Sequence, residues 1–172
     1  MEHDQLSGKR ILAVDDEPDI LDILREELEE FQVELDTARS YEAAVQKMSS
    51  SEYDLIVLDI MGVRGLDLLP IAVERGIPAV MLTAHALSPA TLRHSIELGA
   101  RAYVPKDQLG QLAPFLEDVL TLSYESAWKS VLKKLGGSFG KRFGSQWRQS
   151  EEEFWERFEK QLVVTESIII ED

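Results

Sequence analysis

Tyr53-Asp54-Leu55-Ile56-Val57-Leu58-Asp59 is an apolar run that ends abruptly on a carboxylate. A run bounded by polar residues and rich in Ile, Val and Leu reads as a strand buried on both faces, the kind found in parallel sheets covered by helices. In open α/β sheets chemistry collects beyond the carboxyl ends of the strands, where Asp59 stands. For one isolated Asp a cap or turn role would suffice. Three further strand ends, however, deliver reactive groups to the same edge.

Upstream, Lys9 to Val14 is a first buried strand, stopped by Asp15-Asp16-Glu17-Pro18. Pro18 suits the first position of a helix, where its missing N–H costs nothing. Ile20, Leu21, Ile23, Leu24, Leu28 and Phe31 then repeat at helical spacing. Val33, Leu35 and Thr37 alternate with polar residues as in an edge strand, and Ser40 can cap a second helix carrying Ala44, Val45 and Met48 inward. Downstream of Asp59, the short loop Ile60 to Gly65 leads to a segment that starts a helix at Pro70 or is kinked there. Ile77 to Leu82 is a fourth strand ending at Thr83-Ala84. Ser88-Pro89 opens a helix that Gly99 closes. Ala102-Tyr103-Val104 is a fifth strand ending at Pro105-Lys106, and Leu109, Leu112, Phe115, Leu116 and Val119 mark a last helix. Five strands alternating with helices predict a doubly wound parallel α/β sheet.

The strand ends therefore carry Asp15, Asp16, Asp59, Thr83 and Lys106. Three clustered carboxylates repel unless a cation joins them, and hard oxygen ligands suit Mg²⁺. A carboxylate is also a nucleophile able to accept a phosphoryl group, with Thr83 and Lys106 as donors to its oxygens.

With Val14-Asp15-Asp16-Glu17, Leu58-Asp59, Met81-Leu82-Thr83-Ala84 and Gly99-Ala100 through Tyr103-Val104-Pro105-Lys106 in place, residues 9 to about 120 resemble the receiver domain of two-component response regulators. The resemblance implies a flavodoxin-like, chemotaxis-regulator-like sheet of order 2-1-3-4-5. It implies that Asp59 is the phospho-acceptor, served by a histidine kinase, a phosphotransfer protein or a small phosphodonor. Asp15, Asp16, Asp59 and the Met61 backbone carbonyl would hold Mg²⁺. Lys106 would bind a phosphoryl oxygen, and Thr83 with Tyr103 would be the switch pair. Such a domain is a signalling phospho-acceptor rather than an enzyme. Met61 and His85 occupy positions that tune phosphoryl lifetime in the family, although His85 reads equally as an exposed loop residue. The sequence departs from the pattern after Asp59: Val63 and Arg64-Gly65 stand where Pro and Asp-Gly are usual, and the loop is two residues short. Asp107 follows Lys106 where Pro is common.

Composition narrows the rest. The 172 residues carry a net charge of -14, which argues against general nucleic-acid binding. There is no cysteine, hence no disulfide and no thiolate metal site. No run approaches a membrane span, and the acidic Met1-Glu2-His3-Asp4 is unlike a secretory signal, so the expected location is cytoplasmic. Residues 1–120 hold nearly all the excess negative charge, which places a boundary near residue 120: a tail over 1–8, a receiver over 9–120 and an extension over 121–172.

In the extension, Leu120, Tyr124, Ala127, Trp128, Val131 and Leu135 continue a helical stripe, predicting one long helix out of the receiver, ended by Gly136-Gly137. Ser150 and Glu153 read as a capping box for a helix with Phe154, Trp155, Phe158 and Leu162. Val163 to Ile170 has strand character. So many apolar side chains must be covered by the receiver, a second copy or a partner. A homodimer is the expected solution. The basic, aromatic 126–150 stretch permits a rival reading as a DNA-binding regulator, and a pseudo-receiver that takes no phosphate is the other rival.

Overall fold

The computed structural model describes residues 4–84, 88–143, 148–149 and 152–171. Five strands, β1 (Arg10–Val14), β2 (Glu34–Ala38), β3 (Leu55–Asp59), β4 (Ala79–Thr83) and β5 (Ala102–Pro105), form one parallel sheet of order β2-β1-β3-β4-β5. Between them run α1 (Pro18–Glu29), α2 (Tyr41–Ser50), α3 (Gly65–Glu74) and α4 (Pro89–Glu97). After β5 come a 3₁₀ segment (Lys106–Gln111), then α5 (Leu112–Thr121), α6 (Tyr124–Phe143) and α7 (Glu152–Glu171). The doubly wound sheet and its order are those expected.

The driving force is legible in the central strands. Every residue of β3 and β4 is buried, and fully burying one large apolar side chain contributes roughly 1.5–3 kcal/mol. The edge strand β2, by contrast, keeps Glu34 exposed and is only half-buried at Leu35, Asp36 and Thr37. Local signals set the boundaries. Pro18 occupies the first turn of α1. Ser40 accepts a hydrogen bond from the Ala43 N–H to cap α2, and Ser88 does the same for α4 from Thr91. Gly99, at φ 102°, takes the left-handed conformation that follows α4. The helix after β3 begins at Gly65 and runs through Pro70. Among the described residues no helix is long and apolar enough to cross a membrane.

Three expectations for the extension are corrected. The receiver's last helix does not continue unbroken, because Leu122 is extended (φ -101°, ψ 160°) and Ser123 starts a new helix. The Ser123 Oγ accepts from the Ser126 N–H at 3.2 Å and its carbonyl accepts from Ala127, a complete N-cap. Gly136-Gly137 does not end α6, which runs on to Phe143. A glycine pair mid-helix costs about 1 kcal/mol per residue, which helix continuity on either side outweighs. Val163 to Ile170 is helical and not a strand. The β-branched run continues the helix that carries the buried stripe of Trp155, Phe158 and Leu162, and β-propensity is a weaker, context-dependent preference. The Ser150 half of the expected capping box lies outside the described residues, as does His85.

Candidate functional site

Strand register builds the site. Val14 pairs with Leu58 and Asp59 with Leu82, so Asp15 follows β1 beside the end of β3. Thr83 pairs with Pro105, which sets Lys106 one residue past the end of β5. Asp15 is fully buried, Asp59 and Thr83 nearly so, while Asp16 and Glu17 are exposed at the rim.

Lys106 is the hub. Its Nζ lies 3.0 Å from Asp15 Oδ2 and 3.1 Å from Asp59 Oδ1, with Glu17 at 3.8 Å. The 3.0 Å approach to Asp15 Oδ2 is a close ion pair that both hydrogen bonding and opposite charge favour. The other oxygen, Oδ1, accepts the Glu17 N–H at 2.9 Å. Burial pushes the Asp15 carboxyl above its ordinary value, with Asp59 adding to the push, and the Glu17 N–H and Lys106 only partly oppose it. For Lys106 burial alone would pull the ammonium down. The Asp15 and Asp59 carboxylates more than reverse it, holding the lysine above its usual range.

Asp59 Oδ2 accepts the Gly62 N–H at 3.2 Å. The short loop achieves this with a tight turn: Arg64 N–H donates to the Met61 carbonyl, and Gly65 N–H to the Ile60 carbonyl. Arg64 sits in the left-handed region (φ 56°), unusual for a non-glycine residue. Its side chain is held by Asp67 at 2.9 Å and lies over the Tyr41 ring, 4.4 Å from the centroid. Glycine is required twice. A Cβ on Gly65 would lie 2.1 Å from the Asp59 carbonyl oxygen, and one on Gly62 would lie 2.1 Å from Asp16 Oδ1. Met61, at the rim, is 69% exposed.

On the other side, the Thr83 hydroxyl donates to the Ala84 carbonyl at 2.9 Å and accepts from the Tyr103 hydroxyl at 3.4 Å. The Tyr103 ring is fully buried. The structure thus joins Asp15, Asp59 and Lys106 directly, joins Thr83 to Tyr103, and sets Asp16 against the Gly62 turn. Glu17 was quoted in the motif without a role, yet it completes an acidic group with Asp15 and Asp16 whose ligand oxygens lie within 4.8 Å of one another. Gly62 was also missed; a glycine three residues after a strand-end carboxylate was its only signal.

These residues fit a hard divalent cation. Three carboxylates, Asp15, Asp59 and Glu17, lie within 4 Å of one ammonium, and Asp16 adjoins Asp15 and Glu17, so the cluster carries excess negative charge in a partly buried setting. Oxygen donors alone are the set that Mg²⁺ selects.

Comparison with known proteins agrees with this geometry. The family model of the response regulator receiver domain matches residues 11–114. The chain belongs to that family, the phospho-accepting modules of two-component signalling, which bind Mg²⁺ through an acidic pocket. It is 35% identical over 106 residues to the transcriptional regulatory protein ResD of Bacillus subtilis, covering 60% of this chain and 44% of that one. It is 36% identical over 105 residues to the phosphate regulon transcriptional regulatory protein PhoB of Klebsiella pneumoniae, covering 58% and 45%. The chain therefore spans less than half the length of these two relatives. Among solved structures, a two-component response regulator from Clostridium difficile superposes with a TM-score of 0.60 at 26% identity, covering 66% of this chain and 96% of that one.

Proposed function

We propose that Asp59 is the phospho-acceptor of this receiver and that Mg²⁺ is held by Asp15, Asp16 and Asp59 with the Met61 carbonyl. The observation that carries the reading is the Lys106 ammonium, 3.0 Å from Asp15 and 3.1 Å from Asp59. An ammonium there fixes the acceptor carboxylate and stands ready for a phosphoryl oxygen. When bound, the cation neutralises charge on the transferred group and its carboxylate ligands.

In the transfer, an Asp59 carboxylate oxygen forms a bond to phosphorus while the bond to the donor breaks. With a phosphohistidine donor the P–N electron pair leaves on the imidazole nitrogen, which takes a proton from solvent. Asp59 needs no proton removed, since it reacts as the carboxylate. Lys106 turns from the carboxylates toward the new phosphoryl oxygens, and the Thr83 hydroxyl leaves the Ala84 carbonyl to do the same. Tyr103, the other member of the switch pair, already has its ring buried beside Thr83. Met61, exposed at the rim, and the sequence position of His85, two residues after Thr83, are the places from which the phosphoryl lifetime is tuned in this reading. The donor is a histidine kinase or a phosphotransfer protein. Self-association through the extension remains part of the reading only if the extension leaves the receiver, because Trp128, Val131 and Leu135 are buried within the chain.

Incubation with acetyl phosphate and Mg²⁺ should add one phosphoryl group by intact-mass spectrometry. Chelation by EDTA and the Asp59→Asn variant should each abolish it. Lys106→Ala and Thr83→Ala should weaken the response far more than the fold, since one such donor is worth about 3 kcal/mol to a developing charge. Labelling of Asp59→Asn at the wild-type level would refute the assignment.

A further inference from the structure

The turn after the acceptor strand converges on one residue, Arg64. Its N–H donates to the Met61 carbonyl at 3.3 Å, and its own carbonyl accepts the Asp67 and Leu68 N–H groups at 2.9 and 3.1 Å to start α3. The side chain holds two partners of its own. Nε donates to Asp67 Oδ2 at 2.9 Å, and the guanidinium carbon lies 4.4 Å from the centre of the ring of Tyr41, the first residue of α2. Arg64 thus joins the Met61 carbonyl to α3 and to α2.

The backbone at this residue does not favour arginine. At φ 56° and ψ 50° it is left-handed, a conformation that glycine reaches freely and that crowds a Cβ. The ion pair with Asp67 does not account for the choice, because its side chains are 62% and 59% exposed and such pairs contribute little. The Tyr41 contact differs in kind. A planar guanidinium is attracted to the face of an aromatic ring, and here the attraction ties the turn to a second helix. A side chain held against its own backbone preference beside a reactive carboxylate points to a role in the site.

We propose that Arg64 is a positioning residue for the cation site: clamped by Tyr41 and Asp67, it fixes the Met61 carbonyl for Mg²⁺. This rests on the reading of Asp15, Asp16, Asp59 and the Met61 carbonyl given above. The rest of the turn is anchored from within, since Val63 is buried and the Gly62 N–H donates to Asp59 Oδ2 at 3.2 Å. Met61 has no such anchor in its own side chain, which is exposed. Its carbonyl is held by the Arg64 N–H, and the Arg64 backbone is held in its unfavourable conformation by the clamp. Mg²⁺ demands near-ideal octahedral geometry, so a carbonyl free to swing is a poorer ligand. Groups that orient a metal ligand from outside the coordination shell are typically worth about 10–100-fold in affinity.

The test titrates Mg²⁺ alone into the full chain by isothermal titration calorimetry, with melting curves beside it, so neither readout requires phosphorylation. Arg64→Gly suits the left-handed backbone and removes the clamp. It should melt within about 4 °C of wild type and bind Mg²⁺ about tenfold more weakly. Tyr41→Leu leaves the turn's own sequence intact and should weaken Mg²⁺ binding in the same direction. Tyr41→Phe keeps the aromatic face and should bind as wild type does. The double variant Arg64→Gly/Tyr41→Leu should bind no more weakly than Arg64→Gly, because both changes act through one clamp; additive losses would contradict this. Asp15→Asn is the control for the site itself. Binding lost in Asp15→Asn but unchanged in Arg64→Gly and Tyr41→Leu overturns the clamp and leaves the cation site standing. Wild-type affinity in Asp15→Asn overturns the cation site and the clamp with it. Should Arg64→Gly fail to fold, Tyr41→Leu set against Tyr41→Phe decides, and equal affinities overturn the clamp.

Discussion

Replacing Gly65 with alanine tests how the shortened loop positions the acceptor. The new Cβ would stand 2.1 Å from the Asp59 carbonyl oxygen, 2.8 Å from its carbon and 3.0 Å from the Ile60 Cα. All three neighbours are backbone, so no side chain can swing aside. Either the start of α3 or the end of β3 must retreat by about 1 Å in a close-packed interior. Overpacking of this kind costs about 1–3 kcal/mol, which for a chain of this size lowers the melting temperature by roughly 2–12 °C. A reacting group displaced by about 1 Å can lose about 100-fold in rate. Gly62→Ala is the matched control. Its Cβ would meet Asp16 Oδ1 at 2.1 Å, but Asp16 is exposed and its carboxylate can rotate away. Gly62→Ala should therefore melt close to wild type while requiring more Mg²⁺ for half-maximal phosphorylation. The assay is thermal unfolding beside Mg²⁺ titrations of acetyl-phosphate labelling. A Gly65→Ala protein with wild-type melting and wild-type labelling would refute the reasoning.

Further expectations concern stability and pH. Asp15→Asn removes a buried carboxylate that burial, reinforced by Asp59, holds above its ordinary value, so it should raise the melting temperature at pH 7 while abolishing Mg²⁺-dependent labelling; a lower melting temperature would contradict this. Ser123→Ala removes the N-cap of α6 and should cost about 1 kcal/mol, measured by denaturant unfolding, with no change in the absence of that cap's contribution. Tyr53 and Tyr124 are each pushed from 10 up to about 12, by burial first, then for Tyr53 by its 2.7 Å hydrogen bond to Asp36. Between those pH values the unfolded chain loses these protons and the folded chain keeps them, so stability should fall as pH rises from 10 to about 12. Tyr53→Phe and Tyr124→Phe should each flatten part of that fall in pH-dependent melts.

The receiver was legible because its signals are local and agree with one another. Leu55 to Leu58 and Val80 to Leu82 are buried on both faces, so a plain apolar run suffices to find them, and Ser40, Ser88 and Gly99 cap where caps were expected. The strand ends then place Asp15, Asp59, Thr83 and Lys106 on one edge without further information. What the sequence did not disclose depends on close approach. The need for glycine at 62 and 65 follows from the distance to Asp16 and to the Asp59 carbonyl, which no pattern encodes. The break between α5 and α6 carries no proline or glycine, only a capping serine at 123. The helical state of Val163 to Ile170 opposes its own β-propensity. For the stripe of α6, a homodimer was the expected cover among receiver, second copy and partner. The answer within the chain came from hydrogen bonds to Ile96 and Ala100, residues that show no apolar match to Tyr124 or Trp128 in sequence.

The point of attachment is tested most directly by chemical mapping. Borohydride reduces an aspartyl phosphate to homoserine, leaving a permanent mark on the phosphorylated residue. Wild-type protein labelled with acetyl phosphate and Mg²⁺, reduced and digested, should yield homoserine at Asp59 in the peptide that contains Leu58 and Ile60, with Asp15 and Asp16 unmodified. Homoserine at Asp15 or Asp16 with Asp59 intact would contradict the account.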